Sequence, residues 1–293
     1  MKYEDFVCVL QTKLKEKLGE EAFMNLRPVT KNNGVVLDGL AFMEKGSNVA
    51  PTIYLNEVYE EYQRGVSVQE IAEEMVKVYQ MSRISPEFDA EFFTDFEKVR
   101  KNLACKLIHK GKNEELLKTV PHREFLDLAI VVYYRASHPV IGTGTILVHE
   151  SHRKMWNVSE EELFRIAKEN MRKIMPERLM VIEPFLDLDE EEELRMPMYV
   201  LTNECTTYGA AYMIYDSVLE KIGKILDDDF WLLPSSVHEM IIVPKKTGAC
   251  PDELKDMVCE INETEIPQEE VLSDEIYEYD AKMHRLKIVP ISI

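Results

Sequence analysis

Two short runs of this sequence hold residue types that could do chemistry. The first is His149-Glu150-Ser151-His152. A zinc-binding helix of the HExxH kind needs its two histidines one turn apart, so that both imidazoles reach one ion. Here the second histidine arrives one residue early, and Arg153 stands where it should be. An i,i+3 pair can still touch one ion, so His149 and His152 are candidate metal ligands, but no third ligand accompanies them. The competing reading is a polar start to a helix ending near Trp156. The second run is Leu232-Leu233-Pro234-Ser235-Ser236-Val237-His238-Glu239, which places hydroxyls, an imidazole and a carboxylate within five residues. A nucleophilic serine needs an adjacent base oriented by a third group. Ser235, Ser236, His238 and Glu239 are therefore the candidate catalytic residues. Without a GxSxG elbow, the plainer expectation is a turn between two strands whose serine hydroxyls bond local backbone.

Other strings come close to known motifs and fail on a specific residue. Gly142-Thr143-Gly144-Thr145 begins like a dinucleotide loop, but Leu147 fills the third glycine position. Asp187-x-Asp189-x-Glu191 begins like a calcium loop, but Glu192 stands where that loop turns on glycine. Residues 64–72 have the cadence of a helix-turn-helix, yet residues 56–80 carry six acids against two bases, which repels phosphate. No cofactor is implied.

These runs must be positioned by an α+β fold. Phe6, Leu10, Leu14 and Leu18 mark a first helix that stops at Gly19. Asn32-Asn33-Gly34 predicts a hairpin turn. Ser67 with Glu70, and Ser159 with Glu162, are capping boxes that open two further helices; Ile71, Met75 and Val78 are expected to form the buried stripe of the earlier one. Phe125–Tyr134 and Gly142–Val148 read as strands, Ala210–Tyr215 as a strand-sized apolar run, and Phe230–Leu233 and Glu239–Val243 as strands. Pro251, followed by Asp252 and Glu253, opens a late helix, and the tail forms a hairpin. Helices and strands alternate irregularly, which favours mixed or antiparallel sheets with packed helices. At 293 residues the chain divides naturally into two regions, 1–105 and 120–293, with 102–124 as a boundary and a further break near 187–195.

Charge narrows the partners. The net charge of −19 argues against direct nucleic-acid binding and against an anionic membrane surface. Residues 187–193 and 252–280 account for −17 of it. Either segment could be a solvated face, an anchor for a protein partner with a basic surface, or an acidic mimic of a nucleic acid. Five widely spaced cysteines, no apolar run long enough to cross a bilayer and an acidic N-terminus predict a cytoplasmic protein with free thiols. The function expected from these features is that of an intracellular binding or regulatory protein acting through protein contacts. A hydrolase or transferase centred on Ser235–Glu239 is the alternative.

Four strings together carry a resemblance: Pro51–Asn56, Met155-Trp156 ahead of Val158–Leu163, Leu233–Glu239 and Ser273–Tyr277. They resemble a family known only as a domain of unknown function, abundant in anaerobic gut Firmicutes. The resemblance spans nearly the whole chain and implies a cytoplasmic bacterial protein. It implies no activity and assigns no role to any residue.

Overall fold

The computed structural model describes residues 1–19, 23–43, 52–82, 93–138, 142–182 and 197–290. The acidic run 187–193 and the expected break near 187–195 lie outside the described residues, as do Pro51, Ser85-Pro86 and Pro139. The chain forms two compact units, one of Met1–Val99 with Ala136–Gly144 and one of Arg100–Arg135 with Thr145–Ile293. The fold is α+β, with helices packed on three antiparallel sheets among the described residues. No helix there is long and apolar enough to cross a membrane.

In the first unit, helix α1 (Tyr3–Leu18) buries Phe6, Leu10 and Leu14 and ends at Gly19, whose φ of 71° suits a residue without Cβ. Strands β1 (Phe23–Thr30) and β2 (Val36–Met43) form the hairpin predicted around Asn32–Gly34, and β3 (Thr52–Tyr54) pairs with β2. Helices α2 (Leu55–Gln63) and α3 (Val68–Ser82) complete the core. The capping box forms in both directions: Glu70 N–H donates to Ser67 Oγ (3.3 Å) and Ser67 N–H to Glu70 Oε2 (3.0 Å). The buried stripe of α3 runs Ile71, Met75, Tyr79; Val78, expected in it, is exposed, because the i,i+4 row rather than i,i+3 faces the core here.

The second unit holds two sheets, apart from strand residues 136–138 and 142–144, which fall in the first unit. In one, β4 (Leu103–His109), β5 (His122–Phe125) and β6 (Leu128–His138) lie in the order β4-β6-β5, and β7 (Gly142–Leu147) also pairs with β6. The stretch 102–124 contains a strand with five of seven residues buried, and its lysines sit at the strand's polar positions and in the loop after it. One expectation is corrected here. The expected single strand Phe125–Tyr134 is two strands turning at Leu126, where φ is +57°. Helices α4 (Glu150–Met155) and α5 (Glu160–Ile174) follow; α5 is capped by Ser159, whose hydroxyl accepts from Glu162 N–H.

The other sheet runs β13-β12-β10-β11-β9-β8, from β8 (Glu177–Ile182), β9 (Met198–Asn203), β10 (Phe230–Ser236), β11 (Glu239–Pro244), β12 (Tyr277–Asp280) and β13 (Arg285–Ile288). Helix α6 (Asp216–Leu226) precedes β10. Helix α7 (Pro251–Thr264) packs Leu254 and Val258 onto Trp231, Leu233 and Val243 of β10 and β11. The segment Gly209–Ile214 is a 3-10 helix and not a strand. Its tight turn points Tyr212 and, just beyond it, Tyr215 at α5, where Tyr212 Oη donates to the carbonyls of Met171 and Met175 and Tyr215 Oη donates to the carbonyl of Lys168.

Candidate functional site

The β10–β11 hairpin carries the predicted cluster, and its local chemistry explains its shape. Pro234 has no N–H to give the ladder, and the β10–β11 register shifts between Leu233 and Ser236 before closing at Ser236 opposite Glu239. Val237 and His238 form the turn. Ser236 Oγ accepts the backbone N–H of His238 (3.0 Å), so this hydroxyl bonds local backbone, and Ser236 itself is buried. Ser235 and Glu239 are half-exposed on the same hairpin.

The groups that meet the His238 imidazole come from elsewhere. Its Nδ1 accepts the backbone N–H of Tyr208 (3.1 Å), which places the ring proton of the neutral form on Nε2. Nε2 lies 3.5 Å from Glu270 Oε1, and Glu270 also accepts Val237 N–H through its backbone carbonyl (2.8 Å). The imidazole stacks on the Tyr208 ring (centroids 5.3 Å apart, planes at 13°). Tyr208 in turn meets Tyr133 edge to face (4.9 Å) and lies under Lys106 Nζ (4.6 Å). Both ring nitrogens are thus engaged, and the imidazole works as a pin between two loops.

The loop presenting Tyr208 is strained and tightly held. Thr206 (φ +48°) and Tyr208 (φ +54°) occupy the left-handed region, which is unfavourable for residues with a Cβ and worst for a β-branched one. Asn203, fully buried, holds the loop by donating Nδ2–H to the Thr207 carbonyl (2.8 Å) and accepting at Oδ1 from the amides of Cys205 (3.0 Å) and Thr207 (3.3 Å). Thr202 Oγ1 donates to the His238 carbonyl (2.9 Å), tying β9 to the hairpin turn. Tyr208, Glu270, Lys106 and Asn203 are the site members that local sequence reading misses. Their signal is long-range: Glu270 lies 32 positions and Tyr208 30 positions from His238.

His149 and His152 come together, but as a helix start. His149 N–H donates to His152 Nδ1 (3.1 Å), the two rings meet edge to face at 5.6 Å, and His149 Nδ1 sits 3.5 Å from Thr119 Oγ1. Among the described residues no three His, Cys, Asp or Glu side chains form a metal-binding group. Burial, with a smaller contribution from the neighbouring His149, pulls the His152 pKa below its ordinary value. The neutral ring is therefore favoured in the fold, and its contribution to stability is full above about pH 6.5 and lost as the pH falls below that value. Between pH 7 and 5, His152→Gln, which keeps an acceptor for the His149 amide, is expected to lose less melting temperature than the wild type. Parallel losses in thermal melts would contradict this.

Neither curated proteins nor solved structures gave a match to this chain. A family model does match, over residues 3–281, nearly the full length and including both units and the whole Tyr208–His238 cluster. The chain belongs to the family of unknown function DUF5688.

Proposed function

We propose that this is a binding protein that acts through protein contacts, with the outer face of α7 as its contact surface and a basic protein as its partner. In keeping with the sequence resemblance, the setting is the cytoplasm of a bacterium, gut Firmicutes among the hosts. The observation that carries the proposal is how the acids of 252–280 divide. Those at and after Glu270 have partners within the fold: Glu270 faces His238, Glu275 pairs with Lys255, Asp274 with Lys112, Glu278 with Lys245 and Lys287, and Asp280 accepts the backbone N–H groups of Lys282 and Met283. Asp252, Asp256, Glu260 and Glu263 instead recur at i, i+4, i+8 and i+11 on the exposed side of α7, and none of them is in an ion pair among the described residues.

Asp252 suits the N-terminal end of the helix dipole, but from Asp256 onward the row works against the free helix. Like charges one turn apart repel, and Glu260 and Glu263 stand near the negative end of the helix dipole, where no base accompanies them. A row that opposes its own helix is best explained by what it meets outside. The Tyr208–His238–Lys106 stack, held rigid by the strained loop, adds an amphipathic aromatic surface of the kind interfaces favour. The hydrolase reading draws less support, since the Ser236 hydroxyl bonds backbone and both His238 nitrogens are occupied.

The combined variant D256N/E260Q/E263Q separates stability from binding. It is expected to melt about 2 °C higher than the wild type, because it removes repulsion and unfavourable dipole contacts. It is also expected to lose the salt-sensitive retention of a basic partner that the wild type shows between roughly 50 and 300 mM salt. A variant that melts lower, or that retains the same partner equally at every salt concentration, would refute the proposal.

A further inference from the structure

A groove of about 800 Å³ opens between the β4-β6-β5 sheet and α5. That is the size of a small-molecule site, and its lining combines an apolar half (Cys105, Phe125, Ile130, Phe164 and Ile214) with five charged side chains. The register places Arg123 opposite Ile130, Phe125 opposite Leu128 and Cys105 opposite Val132, so the lining members Cys105, Arg123, Phe125 and Ile130 share one face of the sheet. Phe164 and Lys168 of α5 form the opposing wall. Burial pushes the Cys105 thiol up to about 12, so at neutral pH it is part of the apolar floor and not a nucleophile.

Two cations in this groove, Arg123 and Lys168, form no ion pair among the described residues, although acids also line it. The Arg123 guanidinium lies 4.7 Å from the centre of the Phe164 ring. Lys168 Nζ donates to the backbone carbonyl of Ile214 (3.0 Å) and lies 5.0 Å from the centre of the Tyr215 ring. Among the described residues neither forms an ion pair, whereas Arg165 on the same wall is held by Glu169 (3.0 Å). Glu160 and Glu161 also line the groove, in the first turn of α5, where the helix N-terminus favours acids. Two unpaired cations beside an apolar floor are unexpected in a chain of net charge −19.

We infer that this groove binds a small organic anion, with its apolar body against Phe125, Ile130 and Phe164 and its carboxylate or phosphate head between Arg123 and Lys168. Arg123 offers the planar donor fork that matches such a head, and Lys168 keeps two donors beyond the one given to Ile214. The site lies on different elements from the acid row of α7 and does not depend on it.

The probe pair is 2-naphthoate and 2-naphthol, which share a flat apolar body and differ in charge. Binding is read by fluorescence titration, with circular dichroism and melting as the check on folding. The wild type is expected to bind the acid at least about tenfold more tightly than the alcohol. Arg123→Gln, at an exposed strand position that leaves the core intact, and Lys168→Met should each weaken the acid about tenfold and leave the alcohol unchanged. Ile130→Trp, which fills the groove, should remove both. Equal affinity for acid and alcohol, an unaltered preference in Arg123→Gln, or no saturable binding up to about 5 mM would each overturn the inference.

Discussion

Gly209→Ala is expected to lower the stability of the second unit by about 3 kcal/mol, which is about 10 °C in melting temperature. The reason is space. A Cβ built on Gly209 would lie 2.4 Å from Thr202 Oγ1, 2.6 Å from Thr202 Cα and 2.6 Å from the His238 carbonyl oxygen. Two of these three are backbone atoms, one on β9 and one in the β10–β11 turn. Neither can retreat without opening the β9–β11 pairing, in which Leu201 faces Met240. Gly223 of α6 is the control, because its Cβ would meet nothing nearer than the Ala281 Cβ at 3.2 Å, with the Tyr279 ring at 3.7 Å and the Asp228 carbonyl at 3.9 Å. Gly223→Ala gains helix propensity and is expected to be close to neutral. Denaturant midpoints of the two variants check this, and a Gly209→Ala protein as stable as the wild type would show that the loop does not pack as described.

Asp127→Ala is the second large effect, at about 3 kcal/mol. The Asp127 carboxylate sits in the β5–β6 turn and accepts from Ser273 Oγ (2.6 Å) and Tyr277 Oη (2.9 Å), which come from 146 and 150 positions further along the chain. Both donors are fully buried. Burial, and then the Asp127 charge, push the Tyr277 phenol well above its ordinary pKa, so it stays protonated and remains a donor at any pH the fold meets. Removing the carboxylate takes the acceptor from two buried O–H donors, Ser273 Oγ keeping only the Glu275 N–H it accepts (3.0 Å), and a buried donor left without its partner costs about 1–3 kcal/mol. Tyr277→Phe removes one of them together with its partner. The double variant Asp127→Ala with Tyr277→Phe should therefore lose clearly less than the sum of the two single losses. Simple additivity in denaturant unfolding would mean that the two side chains are not coupled.

What the sequence made legible was local. The Ser67–Glu70 box, the Asn32–Gly34 turn, the stripe of α1 and the Pro251 helix start all follow from contacts within a few residues, and each appears in the structure. The α+β class follows from the same signals. Misreadings arose where a distant partner decides the conformation. Ala210–Tyr215 is apolar enough for a strand, but it coils so that two tyrosine hydroxyls reach carbonyls in the second half of α5. The chain turns at Leu126-Asp127 inside an otherwise apolar run, and there Asp127 accepts from Ser273 and Tyr277. The site was half legible. His238 and Ser236 stand out by type, but the groups that fix their roles, Tyr208 and Glu270, are set by strand order and loop packing, which no short window contains. Charge counting located the acidic segment, and only the fold separates its partnered acids from the row on α7.

The central claim, that this chain works by binding a basic protein through α7, is tested most directly by native mass spectrometry. The wild type and D256N/E260Q/E263Q would each be purified at low salt from the cell that makes the protein. The account predicts a complex of defined stoichiometry with a basic protein for the wild type, and the bare chain for the variant. The same protein complex in both samples, or a wild type that carries no protein partner, would contradict it.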